Sequence, residues 1–327
     1  LHYIRHKMLL HGAVATKNVL SKQTAAALRT YLDNKHVAKR TAPLRYNEVF
    51  WEENTSRLSL ALGTHDDPAV TQALTEVGNN PQLAKILKAL LGDDPAIVEV
   101  STLPSMSGSS FQGLHSDSDW FGSSLLYGQS FLHSYSMFVA LQDTTEKLGA
   151  TTVCPGTHYC DDTVDLDLIC NGHKFSIGAN GQRGTEHGVM EQGDAFLFNQ
   201  NIWHRGPGNR DTDDRIMLVM TFVTNRNMDK DDLRRQGLGT YYYQRWNMRE
   251  HTYSDLAQAD ARMRQPWRTL RALGITNQGG IPFVHQFSQQ VANGDDFFAD
   301  DILDEYREKV LLDYHLPSWL TSNKESW

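Results

Sequence analysis

The sequence lacks long hydrophobic runs and has no excess of positive charge. Its strongly apolar stretches are short, as at residues 217–222. Because a membrane-spanning helix needs about 20 apolar residues, we expect no membrane span. Acidic residues outnumber basic ones by 39 to 31, which gives a formal net charge of −8. This balance argues against a nucleic-acid partner, since general nucleic-acid binders carry a basic face.

Cysteine is also scarce. The only three in 327 residues are Cys154, Cys160 and Cys170, and no two form a Cys-x-x-Cys sequence. Such an odd, sparse set is typical of reduced thiols and predicts no disulfide framework. No secretory signal is visible either. The sequence therefore predicts an intracellular, cytoplasmic protein.

The rest of the composition is that of an ordinary globular protein. Apolar residues make up 40% and charged residues 21%, and the mean hydropathy is −0.48. Neither internal repeats nor a long linker interrupt the chain. We therefore predict a single domain over residues 1–327, with a core at about 10–224 and a C-terminal extension at about 225–327.

The first third of the chain has helical patterns. Residues 21–34 place their apolar side chains on one helical face. Asp67-Pro68 predicts an N-cap followed by a first-turn proline, with Gly78 just after the end of that helix. Asn80-Pro81 predicts the start of a second helix, which ends at Gly92.

Beyond this glycine, short β-branched and aromatic runs alternate with clusters of Gly, Pro, Asn and Asp. Several short strands without intervening helices indicate an antiparallel sandwich or barrel. We thus predict a mainly β fold with flanking helices: an N-terminal helical layer, a β core and a C-terminal helical extension. The predicted strands are residues 96–103, 131–141, 151–153, 195–199 and 216–224, and a late helix is predicted at 300–313.

Two His-x-Asp sequences are candidate metal sites. In a strand, residues i and i+2 project from the same face, so both side chains can reach one ion. His65-x-Asp67 is the weaker candidate, because Asp67 is better placed to cap the helix that follows. His115-x-Asp117 is the stronger one, since it follows a predicted strand within a Gly/Ser-rich segment.

A second histidine and an arginine follow later in the chain. His204 comes soon after the predicted strand 195–199, and Arg215 opens the next one. Two histidines and one carboxylate form the facial triad of non-haem Fe(II) oxygenases, which leaves three coordination positions open. A buried arginine beside it can hold a carboxylate through a bidentate fork. The alternative interpretation is scattered surface polarity with a structural ion pair.

Taken in order, these motifs resemble the phytanoyl-CoA dioxygenase family, a branch of the Fe(II)/2-oxoglutarate oxygenases. The resemblance extends over roughly residues 10–224. The matching features are Gly12-Ala13-Val14-Ala15 before the first amphipathic helix, Gln112, His115-x-Asp117, the run Gly-Ala-Thr-Thr-Val-Cys-Pro-Gly-Thr-His at 149–158, His204, Asn209 and Arg215.

The resemblance implies a double-stranded β-helix, or jelly roll, with iron held by His115, Asp117 and His204. It also implies that 2-oxoglutarate chelates the metal, with Arg215 and Gln112 as co-substrate-binding residues and Arg215 on the far carboxylate. Asp117 favours hydroxylation, because related halogenases have a small residue there that leaves room for chloride. One departure is Gly206, where family members often have a serine that helps to hold the oxoglutarate.

The implied reaction couples O2-dependent hydroxylation of a small organic substrate to conversion of 2-oxoglutarate into succinate and CO2. Desaturation and ring formation are variants, and the substrate classes are natural products, lipids and amino-acid derivatives. The alternatives are an acyl-CoA hydroxylase and a non-catalytic jelly-roll binding protein with a vestigial metal site, at which Gly206 hints. A protein hydroxylase is a third, although such enzymes commonly use lysine in the place of Arg215.

Other residues carry weaker predictions. Trp120 and Phe121 follow the His-x-Asp and could form a wall of the substrate pocket, with ordinary packing as an equal alternative. We expect His158 to organise a loop near the site rather than to bind metal. Cys154 and Cys160, on either side of it, could bind a soft metal but are better explained as small packed side chains.

Overall fold

The computed structural model describes residues 2–41, 49–52, 57–62, 67–117, 134–159, 170, 186–223 and 251–262. The helices in these ranges are α1 His2–His11, α2 Lys22–Thr41, α3 Pro68–Gly78, α4 Pro81–Leu91, α5 Tyr253–Leu256 and α6 Ala259–Arg262. The strands are β1 Ala13–Thr16, β2 Val49–Glu52, β3 Arg57–Ala61, β4 Ala96–Thr102, β5 Ser134–Ala140, β6 Thr152–Val153, β7 Glu186–His187, β8 Ala195–Asn199, β9 His204–Arg205 and β10 Met217–Val223. Within these ranges, no helix is both long and apolar enough to cross a membrane.

The strands form two antiparallel sheets. The larger sheet has seven strands in the order β1-β8-β5-β10-β4-β3-β2, and the smaller has three in the order β7-β6-β9. Val153 of the smaller sheet packs in one apolar cluster with Phe138 of the larger sheet, so the two sheets face each other. The predicted jelly roll with an N-terminal helical layer is confirmed. The helix predicted at 300–313 lies outside the described residues, and the single-domain division stays a prediction.

Helices α3 and α4 begin as the sequence predicts. The Asp67 side chain accepts a hydrogen bond from the backbone N–H of Ala69, and Asn80 caps α4 in the same way. The prediction for Gly78 is wrong, because this glycine is the last residue of α3 rather than the residue after it. A Cβ atom at this position would lie 2.2 Å from the backbone nitrogen of Ala257. Close packing of the chain after α5, not a left-handed turn, accounts for the glycine.

The larger sheet has an outer face covered by helices and an inner face that lines the jelly roll. Strand β10 shows the alternation: Leu218, Met220 and Phe222 belong to the core cluster shared with the helices, whereas Met217 and Val219 belong to the inner cluster. The buried helical residues of the outer cluster include Leu28, Leu32, Leu74, Val77, Leu83 and Leu87. The helical layer therefore fixes the sheet from outside and leaves its inner face for the site.

At one end, the inner face is polar. The strand register places Glu99 of β4 and Ser136 of β5 on either side of Thr221 in β10. The buried Glu99 carboxyl accepts hydrogen bonds from the hydroxyls of Thr221 and Ser101, both at 2.7 Å. Burial raises the pKa of Glu99 to about 7, although these two bonds act to lower it and the charge of Asp117 adds to the rise.

The prediction of reduced thiols is wrong for two of the cysteines. Cys154 and Cys170 are joined by a disulfide bond, with their Cα atoms 5.6 Å apart. This Cα spacing is the usual one for a disulfide, but the separation of the two cysteines in the sequence does not reveal it. Cys160 lies outside the described residues. The bonded Cys154 is not available to the soft-metal site considered above.

We predict that Gly78→Ala destabilises the protein. Helix propensity alone favours alanine over glycine by about 1 kcal/mol, but the added methyl group would collide with the backbone after α5. The melting temperature should therefore fall, as measured by thermal unfolding followed by circular dichroism. An unchanged or raised melting temperature would contradict the close packing of α3 against this segment.

We also predict that Glu99 makes the stability of the protein depend on pH. Because its folded-state pKa is raised to about 7, the folded protein retains a proton that the unfolded chain has already released. This contribution is fully present below about pH 4.5 and is lost as the pH rises through about 7. Glu99→Gln should flatten the decline in the melting temperature of the metal-free protein over that range. Identical pH profiles for the two proteins would contradict the assignment.

Candidate metal centre and carboxylate pocket

The two histidines of the predicted triad are brought together by backbone pairing. His115 and His204 form an antiparallel bridge in which each N–H donates to the other's carbonyl, at 3.0 and 2.8 Å. Their rings lie 4.5 Å apart, centroid to centroid. Two segments that are distant in the sequence thus present their imidazoles side by side.

Asp117 lies beside the two histidines because a hydrogen bond also fixes its backbone. Its N–H donates to the carbonyl of Gln200 at 2.9 Å, which continues the alignment of the two segments. The nitrogen and oxygen ligand atoms of His115, Asp117 and His204 all lie within 4.8 Å of one another. Among the described residues, this is the one cluster of three His, Cys, Asp or Glu side chains that could hold a metal ion.

Hydrogen bonds orient both imidazoles toward the carboxylate. Nδ1 of His204 lies 3.0 Å from the carbonyl oxygen of Ile202, and Nδ1 of His115 lies 2.9 Å from that of Gly113. Because a carbonyl oxygen only accepts, each Nδ1 is the donor in these contacts, which in a neutral ring leaves the lone pair of Nε2 for a metal. The two Nε2 atoms face Asp117 Oδ1, at 3.5 Å for His204 and 3.7 Å for His115.

The surroundings of His204 keep its ring neutral. Burial lowers the pKa of His204, and the nearby His115 lowers it further, while the Asp117 charge acts in the opposite direction. The Phe198 ring packs against the imidazole with centroids 4.9 Å apart. A neutral, fixed imidazole is the form that binds a metal, so this donor set fits a divalent ion such as Fe(II).

Arg215 is fully buried on the same inner face as the apolar cluster. Its Nη1 donates to the carbonyl of Gly149. Its Nε is buried and has no hydrogen-bond partner among the described residues. Burial lowers the pKa of Arg215 to about 9, with a further contribution from the charge of Arg57. A buried guanidinium with an unsatisfied donor suits a carboxylate ligand.

Gln112 lies beside the strand that carries His204. Its N–H donates to the carbonyl of Gly206 at 2.9 Å, and its side-chain oxygen accepts from the N–H of Gly206 at 3.2 Å. Gln112 therefore clamps the backbone two residues after the metal-site histidine. Its predicted part in co-substrate binding stays a prediction.

Sequence reasoning missed two buried charged residues. Arg57, at the start of β3, and Glu99, within β4, are exposed by only 2% and 6%. Charged residues are almost never fully buried without a reason, so burial is the signal that marks them. The burial of these two residues cannot be read from the sequence, because neither belongs to a recognisable motif.

Other predicted residues lie away from the metal cluster or outside the described residues. His158 is buried in the 3-10 turn Thr157–Tyr159, and its Nδ1 would be 2.6 Å from a Cβ atom at Gly12. It packs against the residue before β1 and is not part of the metal cluster. Trp120 and Phe121 lie outside the described residues, so their part in substrate binding stays a prediction.

Comparison with solved structures supports the fold. AviO1 from Streptomyces viridochromogenes Tue57 matches with a TM-score of 0.51 and 12% identity, over 69% of this chain and 95% of that one. EvdMO1 matches with a TM-score of 0.50 and 17% identity, over 68% of this chain and 49% of that one. At such low identity these likenesses show the fold alone.

The family comparison goes further. No curated protein sequence matches the chain. The model of the family described as phytanoyl-CoA dioxygenase (PhyH), however, matches residues 8–217, which is more than half of the 327 residues. That span includes the whole metal cluster, both buried arginines and every strand except β10, of which it contains only the first residue. The chain belongs to the phytanoyl-CoA dioxygenase family and is a non-haem Fe(II)/2-oxoglutarate-dependent oxygenase.

Proposed function

We propose that this protein hydroxylates, or otherwise oxidises, a small organic substrate in a reaction that consumes 2-oxoglutarate and O2 and releases succinate and CO2. The observation that carries the proposal is the convergence of two imidazole nitrogens and one carboxylate oxygen within 4.8 Å of one another. The buried Arg215, at the inner face of the larger sheet, is the proposed site for the co-substrate carboxylate.

The metal site is proposed at His115, Asp117 and His204. Two imidazole nitrogens and one carboxylate oxygen hold the iron and leave three coordination positions for other ligands. The backbone carbonyls that accept from both Nδ1 atoms fix the ring orientations before the metal binds. When bound, the iron supplies the O2 activation that couples decarboxylation of 2-oxoglutarate to oxidation of a substrate C–H bond.

The co-substrate is proposed to bind through Arg215, with Gln112 beside it. A guanidinium can hold a carboxylate with two parallel hydrogen bonds, and burial strengthens the interaction because water does not screen it. The buried Nε of Arg215 is the donor left for this purpose. Gln112 supports the same region by holding the backbone of Gly206.

The substrate is proposed to approach over the apolar part of the inner face. Phe138, Phe196 and Phe198 form a compact aromatic cluster, with ring centroids 4.9 to 6.1 Å apart, and Phe198 also contacts His204. Such a wall excludes water next to the metal and favours the apolar part of a small molecule. Natural products, lipids and amino-acid derivatives all fit this description. The acidic net charge of −8 does not favour an acyl-CoA ester.

We predict that the purified protein binds Fe(II) and 2-oxoglutarate together without O2, with a weak metal-to-ligand charge-transfer band in the visible spectrum. Loss of one imidazole in His204→Ala should abolish the band and weaken metal binding by more than about tenfold. His158→Gln is the matched control, because His158 is equally buried but lies outside the cluster. A band that survives in His204→Ala would contradict the ligand assignment.

Arg215→Ala should raise the 2-oxoglutarate concentration needed for turnover. Losing a buried, charged hydrogen-bond partner costs about 2 kcal/mol or more, which corresponds to roughly 30-fold or more in the apparent KM. Steady-state succinate release measures this directly. Arg262→Ala is the control, since the half-exposed Arg262 of α6 forms an ion pair with Asp255 of α5, away from the metal cluster. Normal turnover of Arg215→Ala at low 2-oxoglutarate would show that the carboxylate binds elsewhere.

A further inference from the structure

Glu99 is a buried acid that the proposed metal and co-substrate sites do not use. It is 6% exposed, and each of its carboxyl oxygens accepts one hydrogen bond, from the hydroxyls of Ser101 and Thr221. Among the described residues, no cationic side chain pairs with it. Acids are almost never buried without such a partner, because an unpaired charge inside a protein is costly. A purely structural acceptor could be a neutral glutamine, so the acid indicates a further role.

The strand register places Glu99 in line with the wall of the metal site. Directly opposed residues on neighbouring strands are, in order, Glu99 on β4, Thr221 on β10, Ser136 on β5 and Phe198 on β8. Opposed residues project to the same side of a sheet, so all four face the inside of the jelly roll. Phe198 contacts the ring of His204. The row therefore leads from a metal-site histidine to the acid.

The next row along the same four strands is mostly apolar. It consists of Ser101, Val219, Phe138 and Phe196, again in the order β4, β10, β5 and β8. Phe138 and Phe196 pack edge to face, with ring centroids 6.1 Å apart. The inner face thus has an aromatic region near the metal cluster and a single acid farther away. A molecule with an apolar body and one polar end matches both.

The separation of the acid from the metal cluster suits a small molecule. Neighbouring strands lie about 4.8 Å apart, so the three steps from Phe198 to Glu99 span about 14 Å along the sheet. The charge of Asp117 contributes to the raised pKa of Glu99, which places the two carboxyls within electrostatic reach of each other. A molecule held at Glu99 can therefore present a carbon atom several bonds away to the metal.

The free capacity of the carboxyl group indicates the charge of its partner. A carboxylate oxygen can accept two hydrogen bonds, and each oxygen of Glu99 accepts only one from the described residues. A protonated amine donates up to three hydrogen bonds and brings the positive charge that the acid lacks. An anionic group would be repelled by both Glu99 and Asp117, and a hydroxyl would supply a hydrogen bond without the charge. This end of the inner face therefore favours a cationic amine.

We propose that Glu99 is a substrate-binding residue for a protonated amine, and that the substrate is an amine whose apolar part packs on the aromatic cluster of Phe138, Phe196 and Phe198. The inference deepens the proposed function and depends on it. It narrows the substrate classes to molecules with a basic nitrogen, such as amino-acid derivatives and amine-bearing natural products. It disfavours fatty acids and acyl-CoA esters, since both are anionic.

The test uses two probes that differ only in their terminal group, 3-phenylpropylamine and 3-phenylpropan-1-ol. Calorimetry measures the affinity of each for the protein loaded with Mn(II) and 2-oxoglutarate. At about pH 8 the amine is protonated and the Glu99 carboxyl, with a pKa of about 7, is mostly ionised. The wild-type protein should bind the amine about tenfold or more tighter than the alcohol, because a hydrogen bond between charged groups is stronger than a neutral one.

Two variants assign that preference to one residue. Glu99→Gln should bring the two affinities within about twofold of each other, since the charge is lost while a similar shape and an acceptor oxygen remain. The affinity of the alcohol should stay the same, which a general loss of structure would not allow. Glu76→Gln is the matched control, because Glu76 also accepts hydrogen bonds from two hydroxyls, those of Ser21 and Thr24, but lies in the helical layer. It should keep the wild-type preference.

The outcomes separate this inference from the proposed function. Wild-type protein that fails to bind Mn(II) and 2-oxoglutarate in the loading step would overturn the proposed function, and the inference with it. Normal loading without a preference for the amine would overturn the inference alone. So would a preference that survives in Glu99→Gln, or an equal loss of affinity for both probes in that variant, because either result would leave the acid with a structural role only.

Discussion

The site depends above all on the antiparallel alignment of the segment that ends at Asp117 with the segment around His204. Three contacts set this alignment: Gln112 bonds to Gly206, His115 to His204, and Asp117 to the carbonyl of Gln200. Because the side chains of the ligands cannot be placed without these backbone bonds, the metal cluster is a product of strand pairing. Loss of the pairing would separate the triad even if every ligand remained in the sequence.

The larger sheet forms the rest of the site, and the polarity of its inner face changes from one end to the other. Arg215 lies at a cationic end, two residues before β10. Within β10, Val219 lies in an aromatic and aliphatic middle and Thr221 at a polar end that contains Glu99. Desolvation affects both ends in a consistent way, because burial lowers the pKa of Arg215 and raises that of Glu99. An anionic co-substrate would neutralise the charge at the Arg215 end. At the other end, burial already favours the neutral form of the Glu99 carboxyl.

Much of this architecture could be predicted from local signals. The caps at Asp67 and Asn80 set the starts of α3 and α4, and the β-branched and aromatic runs placed the five predicted strands close to observed ones. The candidate triad followed from His-x-Asp, whose spacing puts two ligands on one side of an extended segment. The helix starts and strands are confirmed because each depends on residues near one another in the chain, whereas the metal-binding role of the triad stays a prediction.

The features that sequence reasoning missed depend on contacts between distant segments. Gly78 was interpreted as a helix terminator, although it is glycine because the chain at Ala257 packs against it. The disulfide of Cys154 with Cys170 needs a loop closure that spacing does not reveal. Gly206 has no room for a side chain because a Cβ atom there would lie 2.6 Å from Nη1 of Arg57. No local sequence pattern links two positions so far apart.

The most direct test of the account is anomalous diffraction from crystals grown with Mn(II) and 2-oxoglutarate under anaerobic conditions. We expect one strong manganese peak next to Nε2 of His115, Nε2 of His204 and a carboxylate oxygen of Asp117, with the distal carboxylate of the ligand toward Arg215. A peak elsewhere in the molecule, or manganese bound without either histidine, would contradict it.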